Sequence, residues 1–278
     1  MKIVLLVLSF LCLALYASAQ SSIQVGINGG VALYNGDLSP AFNRDYPKFF
    51  EEAFGIFVRK DLTRKISIRG HYHNAQLAGN DVEAGRQFRN LNFRNRISEF
   101  SGILEYDLLN VRTRQGGDFS FFLFAGGAAT YHNPKTFYQN TFIELQPLGT
   151  EGQGINGNRD KYSRLIVAIP FGGGLKIPVG AGRAQVIIEA GARKLFTDYI
   201  DDVGRAEVDF DELLVNNGPL AVALFDRTHE ILGTEPRNFG KGVRGGEFED
   251  WYYMFTVGVG WNLNVTGNGG SNARCPTF

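Results

Sequence analysis

The sequence is poor in cysteine: 278 residues hold two, Cys12 and Cys275. That leaves no framework of disulfides and no cysteine-built metal site. Neither sign of charge prevails, with 28 basic and 28 acidic residues. There is therefore no basic footprint for nucleic acid and no acidic tail. Beyond the N-terminus no stretch of 18 apolar residues runs free of charge, so no transmembrane helix is expected after it. The HExxH and GxSxG patterns are missing, and the four histidines, His71, His73, His132 and His229, assemble no nucleophile–base–acid set. No catalytic, cofactor-binding or metal-binding residue is assigned. What is abundant is aromatic and small: 23 Phe, 11 Tyr and 35 Gly, the composition of an all-β protein.

The first residues read as a cleaved export signal. Lys2 gives a positive start, Ile3 to Tyr16 an apolar stretch, and Ala17-Ser18-Ala19 a small-residue cleavage site. That apolar stretch, about 14 residues, is shorter than the roughly 20 that cross a bilayer as a helix. Cleavage removes Cys12 and leaves Cys275 as an odd cysteine in an oxidising compartment, available for an intermolecular disulfide or present as a free thiol. Three segments follow: a signal peptide over 1–19, one β domain over 20–264, and a tail over 265–278 that carries Cys275.

Eight runs alternate with period two, near 23–34, 52–60, 65–75, 93–109, 118–131, 163–177, 184–197 and 251–264. The connections alternate in length. Those at Asp61–Arg64, Asn110–Gly117 and Pro178–Arg183 are short, and those at 35–51, 76–92, 132–162 and 198–250 are long. In an up-and-down barrel, alternate connections share an end, so short turns gather at one end and long loops at the other. Outer-membrane barrels have this asymmetry, with short periplasmic turns and long extracellular loops. One strand face collects Arg59, Arg69, Glu99, Glu105, Glu189 and Arg193; the other collects residues such as Phe100, Leu104, Val167 and Ile188. The expected fold is an eight-stranded antiparallel up-and-down transmembrane β-barrel with a charged lumen and an apolar face against outer-membrane lipid. Trp251, Tyr253, Trp261, Tyr34 and Tyr131 are expected in the aromatic girdles. Enclosed charges cost several kcal/mol unless paired, so Glu99 and Glu105 are expected to meet Arg69 on the preceding strand.

Within the last run, Thr256, Gly258, Trp261 and Leu263 resemble the terminal-strand signal read by the outer-membrane insertion machinery. The stretches RNLNFRNRISEFSGILEYDLLN (89–110), PLGTEGQG (147–154), IPFGGGLKIP (169–178), RKLFTDYIDDVG (193–204) and RCPTF (274–278) together resemble the PorG-like family of Bacteroidota. The resemblance extends over nearly all of the chain after the signal. It implies a non-enzymatic outer-membrane barrel of the type IX secretion system. The implied partners are a periplasmic ring lipoprotein and its companion, to which the barrel fixes the ring, with Cys275 as a candidate disulfide tether. The rival reading is a small barrel for adhesion or a narrow pore.

The most specific family residues are Gly149, Thr150, Glu151 and Gly152 in one loop and Asp198, Tyr199, Asp201 and Asp202 in another. Gly204 stands where the family motif leads one to expect Ser. The acidic run Asp198, Asp201, Asp202, Glu207, Asp209, Asp211 and Glu212 is expected to be a solvated loop facing lipopolysaccharide, with calcium as the alternative. Gly149, Gly152 and Gly154 are expected to take backbone conformations closed to other residues.

Overall fold

A computed structural model describes residues 23–39, 49–82, 85–112, 118–155, 160–180, 182–237, 240–246 and 249–263. The expected export signal, Cys12 and the tail with Cys275 lie outside the described residues. The main strands are β1 (Ile23–Asn35), β2 (Glu51–Asp61), β3 (Ile66–Asn80), β4 (Asn92–Arg112) and β5 (Asp118–Tyr131). Then come a short pair, β6 (Pro134–Tyr138) and β7 (Thr141–Glu144), followed by β8 (Leu165–Val179) and β9 (Ala184–Leu195). The chain ends with β10 (Val208–Asp209), helices α1 (Phe210–Asn217), α2 (Pro219–Phe225) and α3 (Thr228–Leu232), β11 (Lys241–Gly242) and β12 (Trp251–Asn262).

Eight strands close into an antiparallel barrel in the order β1-β2-β3-β4-β5-β8-β9-β12. The seam pairs β1 with β12, from Gln24 opposite Asn262 to Asn35 opposite Trp251. Each barrel strand pairs with the next one in the chain, so the topology is up-and-down. One bulge in β4 shifts its register against β5 between Asp107 and Leu109, where the strand must bend. The β6–β7 hairpin extends the sheet by pairing with β4 at Arg94 and Asn95.

The two faces differ as the alternation implied. Outward side chains are exposed and apolar: Phe100 is 66% and Val167 63% exposed, while the neighbouring Glu99 and Glu105 are 0% and 1% exposed. A barrel folded for water would reverse this. The apolar band belongs against lipid, because only there does its exposure carry no hydrophobic penalty. Trp261 and Tyr131 stand on that outer face. Tyr34, expected in the girdle, does not: it points inward and is 2% exposed.

The lumen is layered along its axis. Near the short turns lie ion pairs. Towards the long loops the inward positions become apolar, and Ala32, Ala53, Ala75, Leu77, Ile97, Leu195 and Met254 form a packed plug with Ile200 and Val203 from the loop above. Glycine makes this filling possible. A Cβ on Gly174 would meet the Phe122 ring at 2.8 Å, and one on Gly191 the Phe124 ring at 2.6 Å.

The segment over 198–250 folds more than a long loop was expected to. Asp209 caps α1 by accepting from the Asp211 and Glu212 amides, and Pro219 opens α2. Phe210, Leu213, Val222 and Phe225 form a second small core. Its two rings meet edge to face, 5.1 Å between centroids. Among the described residues no helix is long and apolar enough to cross a membrane.

Candidate functional site

Two polar assemblies are built on this frame, one inside the barrel and one over its loop end. Inside, Glu105 of β4 is the centre. Its carboxylate lies 2.7 Å from Lys176 Nζ, 3.0 Å from Arg69 Nε and 3.8 Å from Arg59 Nη1. Arg69 reaches across the lumen to Glu189 of β9 at 2.6 Å, and Lys176 also holds Asp107 at 2.9 Å. The cations rest on rings, with Lys176 4.5 Å from the Phe122 centroid and Arg69 5.7 Å from those of Phe57 and Phe124.

The expected pairing is therefore met for Glu105 but not for Glu99. Glu99 turns to Arg193 at 3.4 Å and His73 at 3.5 Å, and accepts a hydrogen bond from Tyr252. Register explains this. Glu99 sits opposite His73 across the β3–β4 ladder, while Arg69 sits opposite Ile103, one pleat from Glu105. The His71 and His73 rings lie with centroids 3.7 Å apart, tilted by 35°, and share Asn28, held as packing elements in the network.

Over the loop end, the four long connections lock together. Arg244 is the keystone. Its Nη2 donates to Thr150 Oγ1 at 2.7 Å and to the Asp202 carbonyl at 2.6 Å, and its Nε donates to Glu151 at 3.2 Å. Glu151 also accepts the Gly204 amide at 2.8 Å, and Asp202 accepts from Tyr162 at 2.7 Å. Tyr162 stacks flat on Tyr199, 4.9 Å between centroids. Gly149, Gly152 and Gly154 all have positive φ, as the loop motif implied, and Asn217 of α1 donates to the Gly149 carbonyl at 2.7 Å.

Arg89 ties the β3–β4 loop in by donating to the Arg244 carbonyl at 2.7 Å, the Asp37 carbonyl at 2.9 Å and the Asp81 carboxylate at 2.6 Å. Burial raises the Glu151 and Asp202 pKa values, and Arg244 opposes the rise. Gly204 fits this knot closely: a Cβ there would stand 2.8 Å from the Tyr199 ring and 2.9 Å from Glu151.

Beneath the knot, Tyr34 Oη lies 2.6 Å from Asp201 Oδ2 and 2.9 Å from Asp250 Oδ1. A phenol has one proton to give, so the second bond needs a proton on one of the carboxyls. Burial pushes both well above the ordinary carboxylate range, and Asp201 raises Asp250 further. Asp198 is pushed up to about 7 by burial and by Asp37 and Glu151.

The acidic run is solvated only in part: Glu207, Asp211 and Glu212 are exposed, while its centre is buried. Asp201 and Asp202 are 1% and 0% exposed, and Asp209 serves as a helix cap. Among the described residues no group of three potential ligands is poised for a metal ion. The structure brings Gly149, Thr150, Glu151, Gly152, Tyr199, Asp201 and Asp202 into one assembly. It keeps Thr256, Gly258 and Trp261 apart on β12 with Leu263 just past its end, the first two facing inward and the last two outward. Sequence reasoning missed Arg244, Tyr162 and Asp250. The available signal for Arg244 was a cation in the glycine-rich stretch Gly240 to Gly246.

No curated protein matches the chain. Among solved structures, Neisserial surface protein A is similar at 6% identity over 87% of this chain and 99% of that one, with a TM-score of 0.42. The N-terminal β-barrel domain of Pseudomonas aeruginosa OprF is similar at 12% identity over 88% and 100%, with a TM-score of 0.36. Ail, the attachment invasion locus protein of Yersinia pestis, is similar at 8% identity over 87% and 97%, with a TM-score of 0.37. A family profile described as a domain of unknown function, DUF6089, matches residues 2–219. The chain belongs to the DUF6089 family.

Proposed function

We propose that this protein is a non-enzymatic outer-membrane barrel subunit of a type IX protein secretion system, anchoring or docking the machine's periplasmic ring. The long loops face outward, and both ends of the barrel domain lie in the periplasm. The observation that carries the proposal is the closure of the lumen. Ion pairs cross the lumen above the short turns, and the plug of Ala32, Leu77, Ile97 and Met254 fills its loop half. A barrel so filled offers its faces to partners rather than a path to solutes. The resemblance to PorG-like barrels supplies the partner class. Its most specific residues, Thr150, Glu151 and Asp202, are those bound to Arg244.

Chain direction supports the periplasmic docking side. Ile23 and Leu263, the first and last described barrel residues, are bonded to one another at the short-turn end. Cys275 follows in the tail as the proposed covalent tether. A second reading, adhesion, draws on Phe137 and Phe142, which are 46% and 49% exposed on the β6–β7 hairpin beyond the rim.

The test is a pull-down with an affinity tag in the exposed loop at 234–236, thiols blocked before lysis, comparing the natural chain with Cys275→Ser on non-reducing gels. Ring anchoring gives a heavier, thiol-sensitive band that holds a periplasmic lipoprotein. A barrel migrating alone in both forms, with secretion intact in a strain lacking the protein, overturns the proposal and favours adhesion.

A further inference from the structure

The strand register fixes which residues stand at one level of the barrel wall. Followed from strand to strand, the pairing line leaves β1 at Ile23, crosses Leu104 on β4 and Phe171 on β8, and returns to β1 at Leu33, ten residues on. Each of the eight steps therefore climbs about 1.25 residues towards the loops, the consequence of strand tilt. With that climb removed, Trp261 on β12 is level with Asp107 on β4, and Trp251 is level with Tyr131 on β5. The ten residues from Trp251 to Trp261 rise about 25 Å at a tilt near 40°, the height of an outer-membrane apolar band. Trp251 and Tyr131 mark its upper edge; Trp261 and Tyr106 mark its lower edge.

On one side the apolar surface continues below that lower edge. The bulge between Asp107 and Leu109 stands where β4 passes it. Beyond the bulge Leu109 pairs with Phe121 and Val111 with Phe119 on the outer face. Leu109 is 63% and Val111 57% exposed, and Val179 on the neighbouring β8–β9 hairpin is 46% exposed. Val111 lies four residues past the girdle level, about 10 Å along the barrel axis. Lipid surrounds a barrel evenly, and the β2–β3 turn at the same end is polar, with Asp61, Thr63, Arg64 and Lys65. A one-sided apolar extension left in water carries a hydrophobic penalty and marks a contact surface.

Cations flank this surface. Arg64 and Lys65 are exposed on the β2–β3 turn, and Arg183 is exposed on the β8–β9 turn. The first turn is fixed beside β4: the Lys65 carbonyl accepts the Asp107 amide at 2.8 Å, and the Arg64 carbonyl accepts from Asn110 Nδ2 at 3.0 Å. Among the described residues no ion pair holds any of these three cations, and the nearby Asp118 has interactions of its own. An apolar centre with a charged rim is the anatomy of a protein interface. A rim of one sign selects the opposite sign on the partner.

We propose that the outer face of the β4–β5 and β8–β9 hairpins below the girdle, centred on Leu109, Val111 and Val179, docks a periplasmic protein whose contact surface is apolar at its centre and acidic where it meets Arg64, Lys65 and Arg183. This surface rests on the periplasmic placement of the short turns in the reading above. It gives that side of the barrel a binding face in the folded wall, apart from the tail with Cys275.

The experiment uses the full chain in its own cells, with photoreactive benzoylphenylalanine placed at Val111 and, separately, at Val179. Val257, on the lipid face within the band, and Val215, 83% exposed on the loop side, are the controls. Illumination is expected to give a protein adduct at both test positions and at neither control. The crosslinked peptide, mapped by mass spectrometry, is expected to be apolar with acidic neighbours. Arg64→Glu together with Lys65→Glu, in barrels that keep the folded gel shift, is expected to lower the yield about fivefold. Should that pair fail to fold, Arg183→Glu takes its place. Adducts with phospholipid alone, adducts with a second copy of the barrel, no adduct, or a yield indifferent to charge reversal overturn the proposal. The result is separable from that of ring anchoring. A ring lipoprotein captured through Cys275 while Val111 and Val179 stay silent removes this surface only. An adduct with an acidic periplasmic protein outside the ring, with the pull-down empty, removes ring anchoring only.

Discussion

Removing the carboxylate of Glu105 tests the physical basis of the filled lumen. Three cations converge on it, at 2.7, 3.0 and 3.8 Å, and it is 1% exposed. Breaking a buried ion pair by deleting one partner costs about 3–5 kcal/mol, since the other charge is left uncompensated. Here the stranded cations keep second partners. Arg69 retains Glu189, Lys176 retains Asp107, and Arg59 retains Gln185. Water can also enter from a polar cavity at the short-turn end, lined by Lys176 and Asp107 among others.

Those features place Glu105→Ala near the lower end of that range, about 3 kcal/mol. A second substitution, Lys176→Met, restores the balance of charge and keeps an apolar stem over Phe122. The double variant is expected to recover roughly half of the loss, a coupling of 1–2 kcal/mol. The assay is urea-dependent folding into lipid vesicles, read by the fluorescence of Trp251 and Trp261 and by the gel shift between folded and heated barrel. If Glu105→Ala unfolds within about 0.5 kcal/mol of the natural chain, the lumen charges are solvated and the account of a salt-bridged filling is wrong.

Arg244→Met strands Glu151 and Asp202 in the cap, at an expected cost of about 3 kcal/mol localised there; limited proteolysis should then cut between 198 and 250 while the barrel stays intact. The Asp201–Tyr34–Asp250 link should weaken with rising pH. Its carboxyls are raised from 3.8, so the folded cap binds more protons than the open chain above that value. Their contribution is complete below 3.8 and is lost as pH rises through the folded values, with Asp198 adding to the loss near pH 7. Hydrogen exchange at Ile200 and Val203 followed from pH 5 to 9 checks this, and a flat profile would contradict the shared proton. Gly204→Ser should disturb the Tyr199–Tyr162 stack, visible as a changed near-ultraviolet dichroism signal. Val257→Arg places a charge on the lipid face of β12 and should cost about 2–4 kcal/mol in vesicle folding if that position lies near the bilayer midplane; a neutral outcome would mean that this face is not against hydrocarbon.

What could be read from residues alone was whatever depends on near neighbours in the chain. Side chains alternate across a strand with period two. The order Trp251, Tyr253, Phe255, Val257 therefore announced an outer face, and Arg69, Glu105 and Glu189 announced an inner one. The eight runs and the alternation of short and long connections followed from the same local signals, and the strand ends fell within a few residues of where the alternation stops. Tyr34 was misplaced because an aromatic at a strand end serves a girdle or a lumen equally well by pattern. Its inward position follows from the pleat shared with Ala32 and from acceptors, Asp201 and Asp250, supplied by a distant loop.

The helices of the last long segment were missed because they are short and rest on a small core of their own, which no single-strand periodicity reports. The tertiary structure alone decided which charges meet. Glu99 finds Arg193 and Glu105 finds Lys176 across strands far apart in sequence, once the barrel closes and fixes their heights. Arg244 finds Thr150, Glu151 and Asp202 only because four loops are brought to one rim. Alternation is a property of consecutive residues, and so the sequence determined the faces; partnership inside a closed lumen depends on register and closure, and so only the fold determined the pairs.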